Sequence, residues 1–256
     1  MPADAHPPLG TIERKSLLYK SGLGFWCINH VQGCSHGCRY PCHAFMIFNR
    51  HGRVRDYAEW CQPRLVANAL HLLDRELTRK RQLPARVHLC LSTDPFMVGY
   101  PEVQVMSLAI IERLNEAGIA CSVLTKGILP GDLADPARFP VANIHGISLV
   151  SLDEGFRRQW EPGAAPFVER IAALRRIHEA GSRTLVHIEP YPTPNIIEQD
   201  LRVMLEAVAF VDHVFFGGWN YNRRVSVYLG AAAFYREQAA IVRKFCETHG
   251  IECEVT

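Results

Sequence analysis

The sequence lacks a long apolar run and lacks a strong excess of charge of either sign. None of its hydrophobic stretches approaches the ~20 residues that a membrane-spanning helix needs. The N-terminal segment lacks the apolar centre of a signal peptide. The 28 Lys and Arg residues nearly balance the 26 Asp and Glu residues, whereas a dedicated nucleic-acid-binding domain is usually more basic. We therefore expect a cytoplasmic protein whose partner is neither a membrane nor a nucleic acid.

The chain also lacks low-complexity tracts, short repeats and linkers that would divide it. Its 256 residues, 48% of them hydrophobic, are enough for one domain with a sizeable core. We expect residues 22–256 to form that domain and residues 1–21 to form an N-terminal extension.

From about residue 22 onwards, short apolar runs alternate with stretches of helical periodicity. The apolar runs predict strands at 24–30, 86–92, 120–125, 146–151, 184–189, 213–216 and 251–255. The stretches at 65–77, 108–114, 167–177 and 234–245, and one that ends near 208, have the apolar spacing of helices. This alternation predicts an α/β fold with a parallel sheet and right-handed crossovers. Periodicity alone fits an open doubly wound sheet as well as a full or partial barrel, and both place ligands at the carboxyl ends of the strands.

Nine cysteines are an odd and fairly high number for a chain expected in a reducing compartment. There, clustered cysteines indicate metal binding or catalysis more often than disulfides. Cys34, Cys38 and Cys42 lie within nine residues, after the first predicted strand. Thiolates hold iron–sulfur clusters, and three ligands would leave one iron of a 4Fe–4S cluster open to a small molecule.

A zinc site is the alternative interpretation of the same segment. Its ligands would be the three cysteines together with His36 or His43. Zinc sites usually pair their ligands as two separated knuckles, so a single compact loop favours the iron–sulfur interpretation. With zinc, the protein would be an interaction module rather than an enzyme.

The cysteine loop resembles that of the radical S-adenosylmethionine (SAM) enzymes. Their usual spacing is C-x3-C-x2-C with an aromatic residue before the last cysteine. The stretch from Asn29 to Cys38 is similar to the spore photoproduct lyase-like branch of that superfamily. In this chain Pro41 stands between the aromatic Tyr40 and Cys42, which gives C-x3-C-x3-C. Further stretches that resemble this branch are 92–96, 124–126, 147–149, 152–154 and 161–163.

The resemblance implies a partial (β/α)6 TIM-like barrel that binds a 4Fe–4S cluster and SAM. It makes Cys34, Cys38 and Cys42 the cluster ligands. The implied SAM contacts are Tyr40 at the adenine, Thr93 and Asp94 at the ammonium, Lys126 at the carboxylate and Ser148 at the ribose. Without the cysteine loop, the stretch 93–95 would be interpreted as a strand-end turn and Lys126 as a solvated side chain.

Other polar residues near predicted strand ends are candidates for contact with a substrate. For proton transfer, Glu189 is the first candidate and Asp153 the second, because a carboxyl group can act as a general acid or base. The candidates for substrate binding are Glu154, Asn220, Tyr221 and Asn222. Alternatively, Asp153 and Glu154 begin a helix, where its dipole favours carboxylates, and 220–222 form an exposed turn.

The C-x3-C-x3-C spacing also resembles the radical SAM diol dehydratase of the apramycin pathway, an enzyme type that removes the 3′ hydroxyl of paromamine. That resemblance implies an aminoglycoside substrate, a one-electron reductant and a separate nicotinamide-dependent reductase. Carboxylates would attract such a polycationic aminosugar. The alternatives are a reaction on nucleic acid, as in spore photoproduct lyase, and the zinc-binding module.

Overall fold

The computed structural model describes residues 6–256. The first five residues of the expected N-terminal extension lie outside the described residues. They are also the start of the segment that lacks the apolar centre of a signal peptide. The strands are Gly10–Ile12 (β1), Leu18–Lys20 (β2), Trp26–Ile28 (β3), Val31–Gln32 (β4), Arg64–Val66 (β5), Arg86–Leu89 (β6), Ala120–Thr125 (β7), Ile144–Ser148 (β8), Arg183–Tyr191 (β9), His213–Gly218 (β10) and Glu252–Val255 (β11).

Helices follow or connect most of these strands. They are His43–Arg50 (α1), Tyr57–Trp60 (α2), Ala69–Arg79 (α3), Pro101–Glu116 (α4), Glu154–Trp160 (α5), Phe167–Glu179 (α6), Leu201–Ala207 (α7), Arg223–Ser226 (α8) and Ala231–His249 (α9). A 3-10 turn covers Gly131–Ala134. Within residues 6–256, no helix is both long and apolar enough to cross a membrane.

The main sheet has eight strands in the order β11-β10-β9-β8-β7-β6-β3-β2. All neighbouring pairs in it are parallel except β2 and β3, which are antiparallel. In the described chain, β2 and β11 form the two edges and do not pair with each other, so the sheet does not close. The predicted α/β fold with a parallel, partial barrel is therefore confirmed.

The sheet is parallel because apolar strands alternate with amphipathic helices that cover it. The middle strands carry fully buried residues such as Ile147 on β8 and Val186 on β9. Helix α4 begins with a proline in its first turn, which suits that position because proline lacks an N–H group. Its inner face buries Ile110, Ile111 and Leu114 completely, and burial of such side chains stabilises the fold by about 1.5–3 kcal/mol each.

The described part of the expected extension is joined to both sheets. Strand β1 pairs with β5 in a small three-stranded sheet of order β1-β5-β4. Strand β2 pairs with β3 of the main sheet, with Leu18 opposite Ile28. Residues 10–20 therefore contribute strands next to the segment that leads into the cysteine loop.

A buried pair of asparagine side chains ties together the lower ends of three elements. Asn143, before β8, accepts hydrogen bonds at Oδ1 from the backbone N–H of Cys121 on β7 (2.7 Å) and from Asn115 Nδ2 on α4 (3.0 Å). Its own Nδ2 donates to Asn115 Oδ1 at 2.8 Å. Both amides are buried. They hold α4, β7 and the start of β8 in register without leaving polar groups unpaired.

Asn143→Ala is expected to lower the free energy of unfolding by about 2–4 kcal/mol, because it leaves the buried Asn115 Oδ1 and the N–H of Cys121 without these partners and removes one of the two acceptors of Asn115 Nδ2. Urea unfolding monitored by circular dichroism measures this loss. The matched control is Asn220→Ala, which removes an exposed amide and is expected to change stability by less than about 0.5 kcal/mol. Equal stability of the Asn143 variant and the wild type would contradict this role.

Candidate active site

A pocket of about 550 Å³ lies at the carboxyl ends of the parallel strands. Strand ends contribute Ser92, Lys126, Ser148 and Glu189, each from a different strand of the sheet. The cysteine loop between β4 and α1 forms the facing wall. The position agrees with the general rule that α/β sheets bind ligands at this edge.

All three cysteines of the loop line this pocket. The N–H of Cys34 donates to the carbonyl of Trp60 at 2.9 Å, and Tyr57 donates its hydroxyl to the carbonyl of Cys38. Cys42 is the N-cap residue of α1. Gly33 has φ +86°, and a Cβ there would lie 2.6 Å from the Trp60 carbonyl oxygen, so only glycine fits. The loop is thus shaped by α2 and by the beginning of α1.

The three cysteines of the loop are half-buried, and burial opposes ionisation of their thiols. Burial raises the pKa of Cys38 to about 12 and raises the pKa of Cys34 well above its usual value. A bound metal centre would supply the compensating positive charge, because metal ligation deprotonates thiols. Among residues 6–256, no three His, Cys, Asp or Glu side chains converge closely enough to hold a single metal ion.

Several buried polar atoms beside the cysteines have no hydrogen-bond partner within the described chain. They include Ser92 Oγ, Thr93 Oγ1 and His36 Nε2, and all three residues line the pocket. Buried polar atoms are normally paired, so unpaired ones at a pocket wall indicate groups that bind a ligand. The pocket therefore combines three thiols with polar groups available to a small polar molecule.

Glu161 is the centre of the charge network at this site. It is fully buried, and its two oxygens contact Lys126 Nζ at 2.5 Å and Arg170 Nη2 at 2.8 Å. The Tyr40 hydroxyl also donates to Glu161 Oε1. Although burial opposes ionisation, these partners lower the pKa of Glu161 to about 2. One anion with two cations leaves this group with a net positive charge, and Lys126 is the charged member that lines the pocket.

Asp94 is held by donors from the chain itself. Its Oδ1 accepts from the N–H of Phe96 (2.8 Å) and the hydroxyl of Thr125 (2.7 Å), and its Oδ2 accepts from the N–H of Lys126 (2.7 Å). His36 Nδ1 lies 3.5 Å from Oδ2. Asp94 lines the pocket, but these contacts occupy most of its capacity to accept hydrogen bonds. The structure therefore gives Asp94 a bridging role between the turn after β6 and the end of β7.

Glu189 and His187 occupy the pocket-facing side of β9. Burial raises the pKa of the half-buried Glu189 carboxyl, which favours its protonated form. His187 Nε2 lies 3.6 Å from Glu189 Oε2, and its ring stacks on Phe215 with centroids 4.3 Å apart. Burial lowers the pKa of His187 to about 4, so this imidazole is neutral at pH 7. A carboxyl group with a raised pKa in a pocket suits proton transfer.

The structure separates the remaining candidates. The pocket lining includes four further candidates: Tyr40, Thr93, Asn220 and Tyr221. It also includes the candidates that were described above: Asp94, Lys126, Ser148 and Glu189. Asp153, Glu154 and Asn222 are not among the lining residues, and each has a local contact. Asp153 caps α5 by accepting from the N–H of Phe156, Glu154 pairs with Arg157, and Asn222 caps α8.

The structure places Asp153, Glu154 and Asn222 at the starts of α5 and α8, outside the pocket lining, and their contact with a substrate stays a prediction. A carboxylate or amide directly before a helix satisfies backbone N–H groups of its first turn, and this local signal also occurs after a strand. Only the hydrogen-bond partners in the folded chain distinguish a residue that caps a helix from one that faces a ligand. The sequence analysis did not assign a role to Glu161 or Arg170, because their partners come from distant segments.

Comparisons with known proteins agree with this architecture. No family model matches the chain. A protein of Acidianus two-tailed virus, ORF301, is 26% identical over 216 residues, which are 79% of this chain and 69% of that protein. A protein of Mycobacterium tuberculosis (strain ATCC 25618 / H37Rv) is 31% identical over 173 residues, which are 64% of this chain. The chain spans about half the length of that mycobacterial relative, 49%.

Solved structures with a similar fold include two enzymes. A spore photoproduct lyase complexed with dinucleoside spore photoproduct has a TM-score of 0.70 and 15% identity, covering 96% of this chain and 81% of that chain. The radical S-adenosylmethionine methyltransferase TsrM from Kitasatospora setae has a TM-score of 0.52 and 15% identity, covering 74% of this chain and 35% of that chain. At these identities the likeness shows the fold, and that fold is the one found in radical SAM enzymes.

Glu161→Gln is expected to lower the free energy of unfolding at pH 7 by about 3–5 kcal/mol, because it leaves the buried Arg170 and the partly buried Lys126 without their anion. Since the pKa of Glu161 falls from 4.5 to about 2 on folding, its stabilisation is complete above pH 4.5 and is lost as the pH falls towards 2. Chemical unfolding at pH 7, 4.5 and 3 measures both effects.

The matched control for this variant is Glu179→Gln, on the exposed end of α6. It is expected to leave the unfolding free energy within about 0.5 kcal/mol of the wild type. Equal losses of unfolding free energy in the Glu161 and Glu179 variants would contradict the stabilising role of the charge network.

Proposed function

We propose that this protein is a radical SAM enzyme, in which Cys34, Cys38 and Cys42 hold a 4Fe–4S cluster and SAM binds beside it. The observation that carries this proposal is the placement of three loop cysteines in the strand-end pocket, together with unpaired polar groups that line the same pocket. The fold comparison supports it, because a spore photoproduct lyase of this fold has been solved with bound AdoMet.

The residues that would hold SAM follow from the pocket lining. The net positive pair of Lys126 and Arg170 around Glu161 suits the SAM carboxylate at Lys126. Ser92 and Thr93 have hydroxyls without partners in the described chain, and Ser148 lines the pocket at the end of β8. Tyr40 keeps its ring beside the pocket because its hydroxyl is fixed to Glu161. Asp94 then acts by fixing the turn that carries Thr93.

When bound together, the cluster and SAM supply a carbon-centred radical that abstracts a hydrogen atom from a substrate. The residues of this chain bind the substrate, exclude water and move protons. Among the residues that line the pocket, Lys126 is the only Lys or Arg, and Glu161 partly neutralises it. This lining does not suit a phosphate backbone.

The finer proposal is a vicinal-diol aminoglycoside as substrate and its dehydration as the net reaction. Hydrogen abstraction from the 4′ carbon makes the neighbouring 3′ hydroxyl easier to lose. Glu189, with its raised pKa, would protonate the leaving oxygen, so that it departs as water. A one-electron reductant and a separate nicotinamide-dependent reductase would complete the deoxygenation. The negative form of Glu189 also suits an ammonium group of the sugar.

Replacing Cys42 by Ala is expected to abolish SAM cleavage and to lower the iron content of the anaerobically reconstituted protein. The absorption of the reconstituted protein in the iron–sulfur charge-transfer region and the yield of 5′-deoxyadenosine measure these effects. The control is Cys253→Ala, since Cys253 is exposed on β11, away from the pocket. Wild-type yields of 5′-deoxyadenosine from the Cys42 variant would refute the ligand assignment, and a colourless zinc-containing wild type would support the interaction module.

Glu189→Gln keeps the shape of the side chain but removes the transferable proton. With paromamine as substrate, the variant is expected to lose dehydration by on the order of 10²–10⁴-fold, the usual contribution of general acid–base catalysis. SAM cleavage without dehydration is expected to persist. Mass spectrometry of the sugar and chromatography of 5′-deoxyadenosine measure the two reactions separately.

The substrate itself is tested with paromamine deuterated at the 4′ carbon. Deuterium in the recovered 5′-deoxyadenosine, together with loss of water from the sugar, is the expected outcome. Transfer from an oligonucleotide that contains a thymine dimer, with none from paromamine or a related pseudodisaccharide, would instead establish the nucleic-acid reaction.

A further inference from the structure

The charges are unevenly distributed along the chain, and the segment with the three cysteines contains no acidic residue. Between Glu13 and Asp56 the sequence has neither Asp nor Glu. The basic residues of that stretch are Arg14, Lys15, Lys20, Arg39, Arg50, Arg53 and Arg55. Because the whole chain has 28 basic and 26 acidic residues, the remainder carries more acids than bases. The cysteine segment is thus the basic part of a nearly neutral protein.

Three of these arginines are exposed at the end of α1 and in the loop that follows: Arg50, Arg53 and Arg55 (the arginine surface). The loop has a fixed shape, because Asn49 Nδ2 donates to the carbonyls of Val54 (3.2 Å) and Arg55 (2.8 Å). Arg55 pairs with Glu59. Arg50 and Arg53 form no ion pair within residues 6–256, so their charges face solvent.

A single layer of apolar side chains separates the arginine surface from the cysteines. Phe48 and Trp60 are buried with ring centroids 5.2 Å apart, and the cluster they form with Val54 packs against Cys34 and Cys42. The guanidinium carbon of Arg53 lies 5.5 Å from the Phe48 ring centroid. Trp60 lines the pocket, whereas Phe48 and the arginines do not. Arg53 therefore lies outside the pocket, over the apolar layer that packs against Cys34 and Cys42.

We propose that the arginine surface docks an acidic one-electron carrier protein, of the flavin- or iron–sulfur-containing class. The inference rests on the proposed function, because that function needs an electron delivered at the cysteines. The donor protein loses one electron, which crosses the Phe48 and Trp60 layer to the centre held by Cys34 and Cys42. Opposite charges on the two surfaces steer the encounter and fix the orientation of the donor.

A nucleic acid is the other polyanion that could meet an arginine surface. The geometry favours the electron carrier, because Arg53 lies over Phe48 of the apolar layer and neither Arg50 nor Arg53 lines the pocket where a nucleotide would react. An electron donor needs only a short path to the cysteines, whereas a nucleic-acid substrate must reach the strand ends.

The test uses the double variant Arg50→Glu/Arg53→Glu and a flavodoxin of net negative charge. Binding of the flavodoxin to the reconstituted enzyme is measured by calorimetry at low and high salt. We expect the dissociation constant of the double variant to rise at least tenfold, and wild-type binding to weaken with salt because exposed charges are screened. The ratio of flavodoxin-driven to dithionite-driven SAM cleavage is also expected to fall at least tenfold.

The matched control is Arg236→Glu/Arg243→Glu, two exposed arginines of α9. It changes the net charge equally, so we expect flavodoxin affinity within about twofold of the wild type. A milder variant, Arg50→Gln/Arg53→Gln, keeps the test valid if charge reversal disturbs the loop, and it is expected to weaken binding less than the Glu pair.

Equal flavodoxin affinity of the double variant and the wild type would overturn the proposal. So would loss of affinity for a 20-base-pair DNA duplex without any change for flavodoxin, since it would assign the surface to nucleic acid. Absence of dithionite-driven SAM cleavage in the wild type would refute the proposed function instead. Flavodoxin affinity would still decide the docking surface, because binding is measured without turnover.

Discussion

The ionised carboxylate of Glu161, buried without solvent, is the constraint on which the site depends. An isolated buried charge would be too costly to keep, so Glu161 requires Lys126, Arg170 and Tyr40 to stay where they are. These partners belong to the end of β7, to α6 and to the cysteine loop. Their shared anion therefore couples the placement of the loop to the parallel sheet, which no single hydrophobic contact would do with the same directional precision.

Asp94 is a second buried carboxylate beside the cysteine loop that is held by several hydrogen-bond donors. It joins the turn after β6 to the end of β7 through backbone and hydroxyl donors, and it approaches His36 between the first two loop cysteines. The carboxylates of Glu161 and Asp94 thus contact the cysteine loop at Tyr40 and His36, and the cluster of Phe48 and Trp60 packs against the loop from its outer side. A pocket wall made of otherwise irregular chain becomes well defined in this way.

The alternation of apolar runs and helical stretches predicted the parallel strands of the main sheet, and β7 has the bounds that the sequence predicts. It did not predict the edge strand β2 or the small sheet, where Leu65 and Val66 of the predicted helix 65–77 belong to β5 instead. Strand β6 ends three residues earlier than predicted, at Leu89, because Cys90 has φ +60° and leaves the extended conformation. The cysteine loop was identifiable because its ligands are close in sequence. The role of Glu161 was not, since its bond from Tyr40 spans 121 residues and such pairings depend on tertiary structure. Asp153 follows β8 and Glu189 lies near the end of β9, and only the folded chain shows that Asp153 caps a helix whereas Glu189 lines the pocket.

The open sheet leaves two strand edges that a closed barrel would not have. Unpaired edges are templates on which another chain can extend a sheet and start an aggregate. Here β2 has only three residues and ends in Lys20, while β11 has four and carries the exposed Glu252 and Glu254. Neither edge offers a long apolar strand to a neighbouring molecule. The gap in the barrel thus exists without the usual hazard of edge-to-edge polymerisation.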